Sequence, residues 1–109
     1  MITLKEVCEK LGVTRRNVQG YEKAGLVAPS GKNKYGYLLY DEEAVQRIKQ
    51  IKQYRDFGFS VKEIQRLFEA SRENYVEMMQ KRRDALKKQI RILSEKIIEM
   101  EAMIAEKKQ

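Results

Sequence analysis

Leu4-Lys5-Glu6-Val7-Cys8-Glu9-Lys10-Leu11-Gly12-Val13-Thr14-Arg15-Arg16-Asn17-Val18-Gln19-Gly20-Tyr21 is the stretch that decides the fold. Leu4, Val7 and Leu11 fall on one stripe at helical spacing, and Gly12 stands where a helix end needs a residue tolerant of positive φ. Val13, Val18 and Tyr21 supply the apolar anchors of a second helix packed across the first. Cys8 is small enough for a close helix crossing and reads as a core residue. Thr14, Arg15, Arg16, Asn17 and Gln19 stand between the anchors and hydrogen-bond outward. A helix that buries one face and presents Arg, Asn and Gln on the other suits the major groove of DNA. An ordinary helical hairpin with a charged solvent face is the competing reading of this segment alone.

Upstream, Thr3 and Glu6 have the spacing of a capping box, so the first helix is expected to run from there to about Leu11. The second is expected from about Thr14 to Ala24, with Gly25 closing it. Gly20 lies inside that helix, where glycine costs about 1 kcal/mol relative to Ala. It marks either a close approach of another backbone or a locally weak helix.

Downstream, Pro29-Ser30-Gly31 breaks the chain. Lys32 to Tyr40 reads as a short ribbon turning at Asn33-Lys34-Tyr35-Gly36, with strand formers from Tyr37 to Tyr40. Lys32, Lys34, Tyr35 and Tyr37 make it basic and aromatic, suiting a wing laid along phosphates. A plain hairpin with its tyrosines on the core is the alternative; Tyr40 is expected inside, Lys32 and Tyr37 on the DNA. Asp41-Glu42-Glu43 opens a third helix, with Val45, Ile48, Ile51, Tyr54 and Phe57 on its apolar face and Gly58 at its end. Ser60-Val61-Lys62-Glu63 is a second capping box, opening a fourth helix with Val61, Ile64, Leu67 and Phe68 inward. Arg55 and Lys62 flank the turn of this second hairpin, where each is either a solvated charge or a phosphate contact.

From about Asn74 the pattern changes. Val76, Met79, Arg83, Leu86, Ile90, Leu93, Ile97, Met100 and Ile104 alternate steps of three and four, the seam of a coiled coil interrupted only by Arg83. A helix apolar along one edge needs a partner, and a second copy suits it better than a fold-back onto a domain of about 70 residues. The seam does not fix whether the pair runs parallel or antiparallel. The expected organisation is a winged helix-turn-helix domain over 1–71 and a coiled-coil dimerisation helix over 72–109, a mainly α fold. Val76, Met79, Leu86, Ile90, Leu93, Ile97, Met100 and Ile104 are the expected dimer contacts.

Composition agrees with a polyanionic partner. The chain has 109 residues, a net charge of +7 and an isoelectric point near 9.5, and the excess is uneven. Residues 1–40 carry seven basic and three acidic groups, 41–70 are neutral, and 71–109 carry ten basic against seven acidic. A positive block that coincides with the outward-facing helix is the electrostatic footprint of a nucleic-acid binder. One cysteine, no histidine and no apolar run of membrane length point to a cytoplasmic chain without disulfide, metal site or cofactor. Nor is there a paired-acid, nucleophile or phosphate-loop pattern on which to build an enzyme.

In its order of motifs the whole chain resembles the MerR family of bacterial transcription regulators. The matching runs are Gly12 through Val27, Gly36-Tyr37-Leu38-Leu39-Tyr40, and Arg55-Asp56-Phe57-Gly58-Phe59-Ser60-Val61-Lys62-Glu63-Ile64. The resemblance implies an antiparallel homodimer on a palindromic promoter element, double-stranded DNA as partner, and activation by bending and untwisting an overlong spacer. RNA polymerase or a regulatory protein is the further partner it suggests. It also implies that Arg16, with Thr14 and Arg15, meets the major groove while Tyr21, Lys32, Tyr37 and Arg55 clamp the backbone. The chain departs from the pattern at Gln19-Gly20, where the family has Arg-Tyr, and at Leu38, where the wing carries an arginine. Those departures remove basic contacts, and Gln19 is suited to read adenine instead. A short member, or a form truncated before an effector domain, matches the end at Gln109. A DNA-organising or chromosome-anchoring protein with the same head is the alternative function.

Overall fold

The computed structural model describes residues 1–109, in which five helices account for most of the chain and three short strands form a small sheet. The elements in order are β1 (Ile2–Thr3), α1 (Leu4–Leu11), α2 (Arg15–Lys23), β2 (Gly31–Lys32), β3 (Leu38–Tyr40), α3 (Glu42–Asp56), α4 (Val61–Glu69) and α5 (Arg72–Lys108). They form two compact units, Met1–Glu69 and Ala70–Gln109.

Each helix starts where a side chain satisfies a first-turn amide. Thr3 Oγ1 accepts from the Glu6 amide while the Glu6 carboxylate accepts from the Thr3 amide at 3.1 Å. Ser60 and Glu63 repeat the reciprocal arrangement at 2.9 and 3.1 Å. Asp41 accepts from the Ala44 amide at 2.8 Å and Ser71 from the Asn74 amide at 3.2 Å. Capping of this kind contributes about 1 kcal/mol per helix.

The ends of α2 and α3 share one device that the sequence reading did not identify. At Tyr21…Gly25-Leu26 the Leu26 amide bonds back to the Tyr21 carbonyl and the Gly25 amide to that of Glu22, both at 3.0 Å. At Tyr54…Gly58-Phe59 the same pair of bonds forms at 3.2 and 2.9 Å. Gly25 and Gly58 take φ of 75° and 99°, which reverses the chain and presses the next apolar residue onto the last turn, as in a Schellman motif. An arginine then occupies each following carbonyl: Arg47 Nε donates to Leu26 at 2.9 Å and Arg55 Nη1 to Phe59 at 3.0 Å.

That geometry corrects one expectation. Phe57, placed on the apolar face of α3, is 41% exposed, whereas Phe59 is 3% exposed and packs edge-on against Tyr54. The left-handed turn at Gly58 falls between them and exchanges their roles.

The core gathers Val7, Val13, Val18, Tyr40, Ala44, Val45 and Ile48, with Cys8, Leu4 and Leu11 partly buried against it. Farther along α3, Ile51 and Tyr54 are buried, as are Phe59, Ile64 and Leu67. Val61 and Phe68, expected inward, are half-buried. The Arg47 guanidinium lies 3.4 Å from the centre of the Phe68 ring.

The sheet is larger than the expected hairpin. β1 pairs antiparallel with β3 (Ile2 opposite Tyr40), and β2 pairs with the other edge of β3 (Lys32 opposite Leu38), giving the order β1-β3-β2. Central position in this sheet explains why Tyr40 is wholly buried.

In the second unit, α5 runs 37 residues from its cap at Ser71 and buries none of them. At 1.5 Å per residue it extends about 55 Å. No helix of the protein is long and apolar enough to cross a membrane.

Candidate nucleic-acid interface

The outward face of α2 is built by its inward one. Val18 and Tyr21 are buried and fix the rotation of the helix, which leaves Arg15, Arg16, Gln19 and Lys23 exposed. Neither arginine forms an ion pair, so both keep their donors for an external acceptor. Lys23, which the sequence reading omitted, lies one turn beyond Gln19. Its signal was available, since residues at i and i+4 share a helix face.

Thr14 and Asn17 are exposed but already engaged. The Thr14 hydroxyl accepts from the Asn17 amide at 3.0 Å, and the Asn17 side-chain carbonyl accepts from the Thr14 amide at 3.2 Å. This pair closes the N-terminus of α2 through the two acceptor oxygens, which leaves the Thr14 hydroxyl proton and the Asn17 Nδ2 donors facing outward.

Tyr21 is where the structure departs most from an exposed contact. It is only 6% exposed, so nearly all of it belongs to the core and little is left for a phosphate. Burial pushes its phenol above the ordinary range, with the Arg55 charge opposing.

The wing is organised by Asn33, whose side-chain carbonyl accepts from the Tyr35 and Tyr37 amides at 2.9 and 3.0 Å. This Asx turn sets the backbone path of the tip and leaves Tyr35 and Tyr37 exposed at 72% and 64%. Lys32 and Lys34 are exposed as well, and Lys34 Nζ lies 5.1 Å from the centre of the Tyr35 ring. Past the second turn, Arg55 is exposed but tied to the Phe59 carbonyl, and Lys62 is exposed in the first turn of α4.

A buried tie connects wing and helix: the Tyr40 hydroxyl, at the base of β3, donates to the Glu22 carboxylate of α2. Burial, then the hydrogen bond to Glu22, pushes the Tyr40 phenol well above its ordinary value. Because the folded state favours the protonated phenol, this stabilisation is complete below about pH 10 and fades as pH rises further. Tyr40→Phe should lower unfolding free energy by about 1 kcal/mol, since half-buried Glu22 regains water. Urea denaturation checks this; an unchanged midpoint would show that the bond contributes nothing.

On α5 the residues of the seam lie open. Ile90, Leu93, Ile97, Met100 and Ile104 are 51–65% exposed, Val76 is also exposed, and Met79 and Leu86 are half-buried. So long an apolar line on one helix is far more than scattered surface hydrophobicity. No group of three or more histidine, cysteine or acidic side chains is placed to hold a metal ion.

Comparison with known proteins gives two family matches: MerR HTH family regulatory protein over residues 2–71, and MerR, DNA binding, over residues 45–109. The nodulation protein NolA of Bradyrhizobium elkanii is 35% identical over 85 residues, covering 78% of this chain and 38% of NolA. The chain thus spans well under half the length of that relative. A MerR-family transcriptional regulator from Bacillus cereus superposes with a TM-score of 0.79 at 25% identity, over 94% of this chain and 78% of that one. EcmrR, in its DNA complex within EcmrR-RPo, superposes with a TM-score of 0.76 at 27% identity, over 98% of this chain and 40% of EcmrR.

Proposed function

Because this chain belongs to the MerR HTH family of regulatory proteins, we propose that it is a sequence-specific, DNA-binding transcriptional regulator acting as a homodimer. Two copies pair through the apolar line of α5, antiparallel, and present two α2 helices and two wings to a dyad-symmetric promoter element. The observation that carries this reading is the outward face of α2, where Arg15, Arg16, Gln19 and Lys23 stand exposed on a helix whose other side is locked into the core. Exposed donors without internal acceptors, on a helix of fixed orientation, are what base-edge and phosphate recognition require.

In this assignment Arg15, Arg16 and Gln19 read bases. Lys32, Lys34, Tyr37, Arg55 and Lys62 hold phosphates, and Thr14 and Asn17 act first as the cap that aims the helix. Tyr21 acts mainly as the core residue that sets the helix's rotation. Regulation works by bending and untwisting the promoter spacer, a deformation whose energy the DNA sequence itself modulates. The EcmrR neighbour on DNA supports duplex DNA as ligand and RNA polymerase as the further partner.

DNase footprinting on the region upstream of the gene is expected to show one short protected site with dyad symmetry and enhanced cleavage at its centre. Protection spread evenly along the fragment would instead favour an architectural DNA-organising role. Binding should also weaken steeply with salt, because each neutralised phosphate releases counterions.

A further inference from the structure

One charge stands in the apolar line of α5. The line runs from Val76 to Ile104, and Arg83 holds the position between Met79 and Leu86. Its side chain is 56% exposed, and its Nε donates to Asp84, the next residue, at 3.1 Å. Asp84 is 63% exposed, and a pair so open to water contributes little. Within the protomer, therefore, nothing accounts for an arginine at this position.

The charges along α5 are also segregated. Residues 81–91 carry six basic groups and one acidic, whereas residues 92–106 carry four acidic and one basic. Turned end for end, a second copy lays its acidic stretch along the basic stretch of the first. Antiparallel registers of this line differ by a heptad, about 10 Å. In one of them Ile90 lies opposite the partner's Leu93, Leu86 opposite the partner's Ile97 and Met79 opposite the partner's Ile104. Arg83 then lies against the partner's Met100 and beside the partner's Glu101. A slip one way sets Arg83 beside the partner's Ser94, and a slip the other way sets it beside the partner's Lys108. Only the first register gives it a carboxylate.

We infer that Arg83 of each copy pairs with the partner's Glu101, and that this ion pair, formed twice across the dyad, determines the register of the dimer. Arg83 and Glu101 are about five helical turns apart, about 27 Å, so they lie on one side of the helix and cannot meet within a protomer. Glu101 is exposed and has no ion pair of its own. The arginine stem packs in the seam while its guanidinium reaches the carboxylate at the edge. A polar residue in a seam costs stability and selects one alignment. In a parallel, in-register pair Arg83 would face its own copy, guanidinium against guanidinium. Register in turn fixes the distance between the two Ser71 caps, and hence the span of chain from one DNA-reading helix to the other. The pairing rests on the homodimer proposed above and adds to it the residues that choose the alignment.

Charge reversal tests it. Arg83→Glu and Glu101→Arg are made separately and then together in one chain. The dimer dissociation constant is read by sedimentation equilibrium at low salt, and helicity by circular dichroism. Each single variant alone sets like charges together at both pairs, so its dimer should be roughly 10-fold weaker or worse than wild type. Mixed in equal amounts, the two single variants should form a heterodimer within about 3-fold of wild-type affinity. In that mixture the acidic side chain at position 83 of one variant meets the basic one at position 101 of the other, and the unchanged Glu101 meets the unchanged Arg83. The double variant should recover in the same way by itself. Misfolding of a single variant cannot produce recovery on mixing. A single variant that dimerises like wild type overturns the inference, and so does a mixture without recovery. A double variant as weak as the singles also overturns it, and is the result a parallel pair gives. A wild-type chain that sediments as a protomer would instead bring down the homodimer reading itself.

Discussion

Leu93→Asp should convert the protein to a monomer and abolish specific DNA binding while the N-terminal unit stays folded. Leu93 is 58% exposed in the protomer and belongs to a helix with no buried residue, so the substitution removes no core contact from the chain. In the proposed dimer it sits in the middle of the apolar line, with Ile90 on one side and Ile97 on the other. A carboxylate there meets the partner's apolar side chains, once in each copy, and burying an unpaired charge costs several kcal/mol. Two linked heads also bind a dyad with the benefit of high effective concentration, so separating them forfeits roughly 10²- to 10⁴-fold in affinity. Sedimentation should give the protomer mass at micromolar concentration, with circular dichroism retaining most of the helical signal. A mutant that still sediments as a dimer would place the interface on another face of α5.

Arg16→Ala is the second large effect. Arg16 is exposed, unpaired and in the first turn of α2, whose N-terminal residues approach base edges when such a helix enters the major groove. Loss of one bidentate arginine–guanine contact costs about 1–3 kcal/mol, and a dimer loses two of them. Specific affinity should therefore fall by roughly 2–6 kcal/mol at constant salt. The dependence on salt tells which atoms Arg16 meets. If it reads a base, the slope of log K against log salt stays as in the wild type and selectivity at one position per half-site relaxes. If it holds a phosphate, affinity falls for all sequences and the slope drops by about 1 per contact. Unchanged binding removes Arg16 from the interface altogether. Thermal stability should barely move, because the side chain makes no ion pair and lies on the surface.

Arg47 shows why a count of cations is a poor guide to such an interface. By type it is as eligible as Arg16. Yet its Nε is bonded to the Leu26 carbonyl and its guanidinium faces the Phe68 ring, so it serves the fold. Arg55 stands between the two, exposed but committed through one nitrogen to the Phe59 carbonyl. Thr14 and Asn17 make the same point for polar residues, since their acceptor oxygens are already engaged in capping α2.

Much of this molecule follows from rules acting over three or four residues, and that much is legible in the sequence. The capping pairs Thr3–Glu6 and Ser60–Glu63 were predictable because both partners lie within one helical turn. So were the helical stripes through Val7, Val18 and Ile48, the breaks at Gly12 and Gly58, and the apolar line of α5, since apolar periodicity and helix geometry share a period. What the tertiary structure decided depends on residues far apart in the chain. β1 exists only because Ile2 and Thr3 find the free edge of β3 nearly forty residues on. The Tyr40–Glu22 bond spans 18 residues and the Arg47–Leu26 bond 21. Phe57 and Phe59 are equally apolar, and only the left-handed turn at Gly58, completed by packing on Tyr54, determines which of them is buried. Local spacing specifies which segments become helices and which side of each is apolar. Complementary packing between distant segments specifies which polar groups are consumed holding the fold together, and therefore which are left to face a ligand.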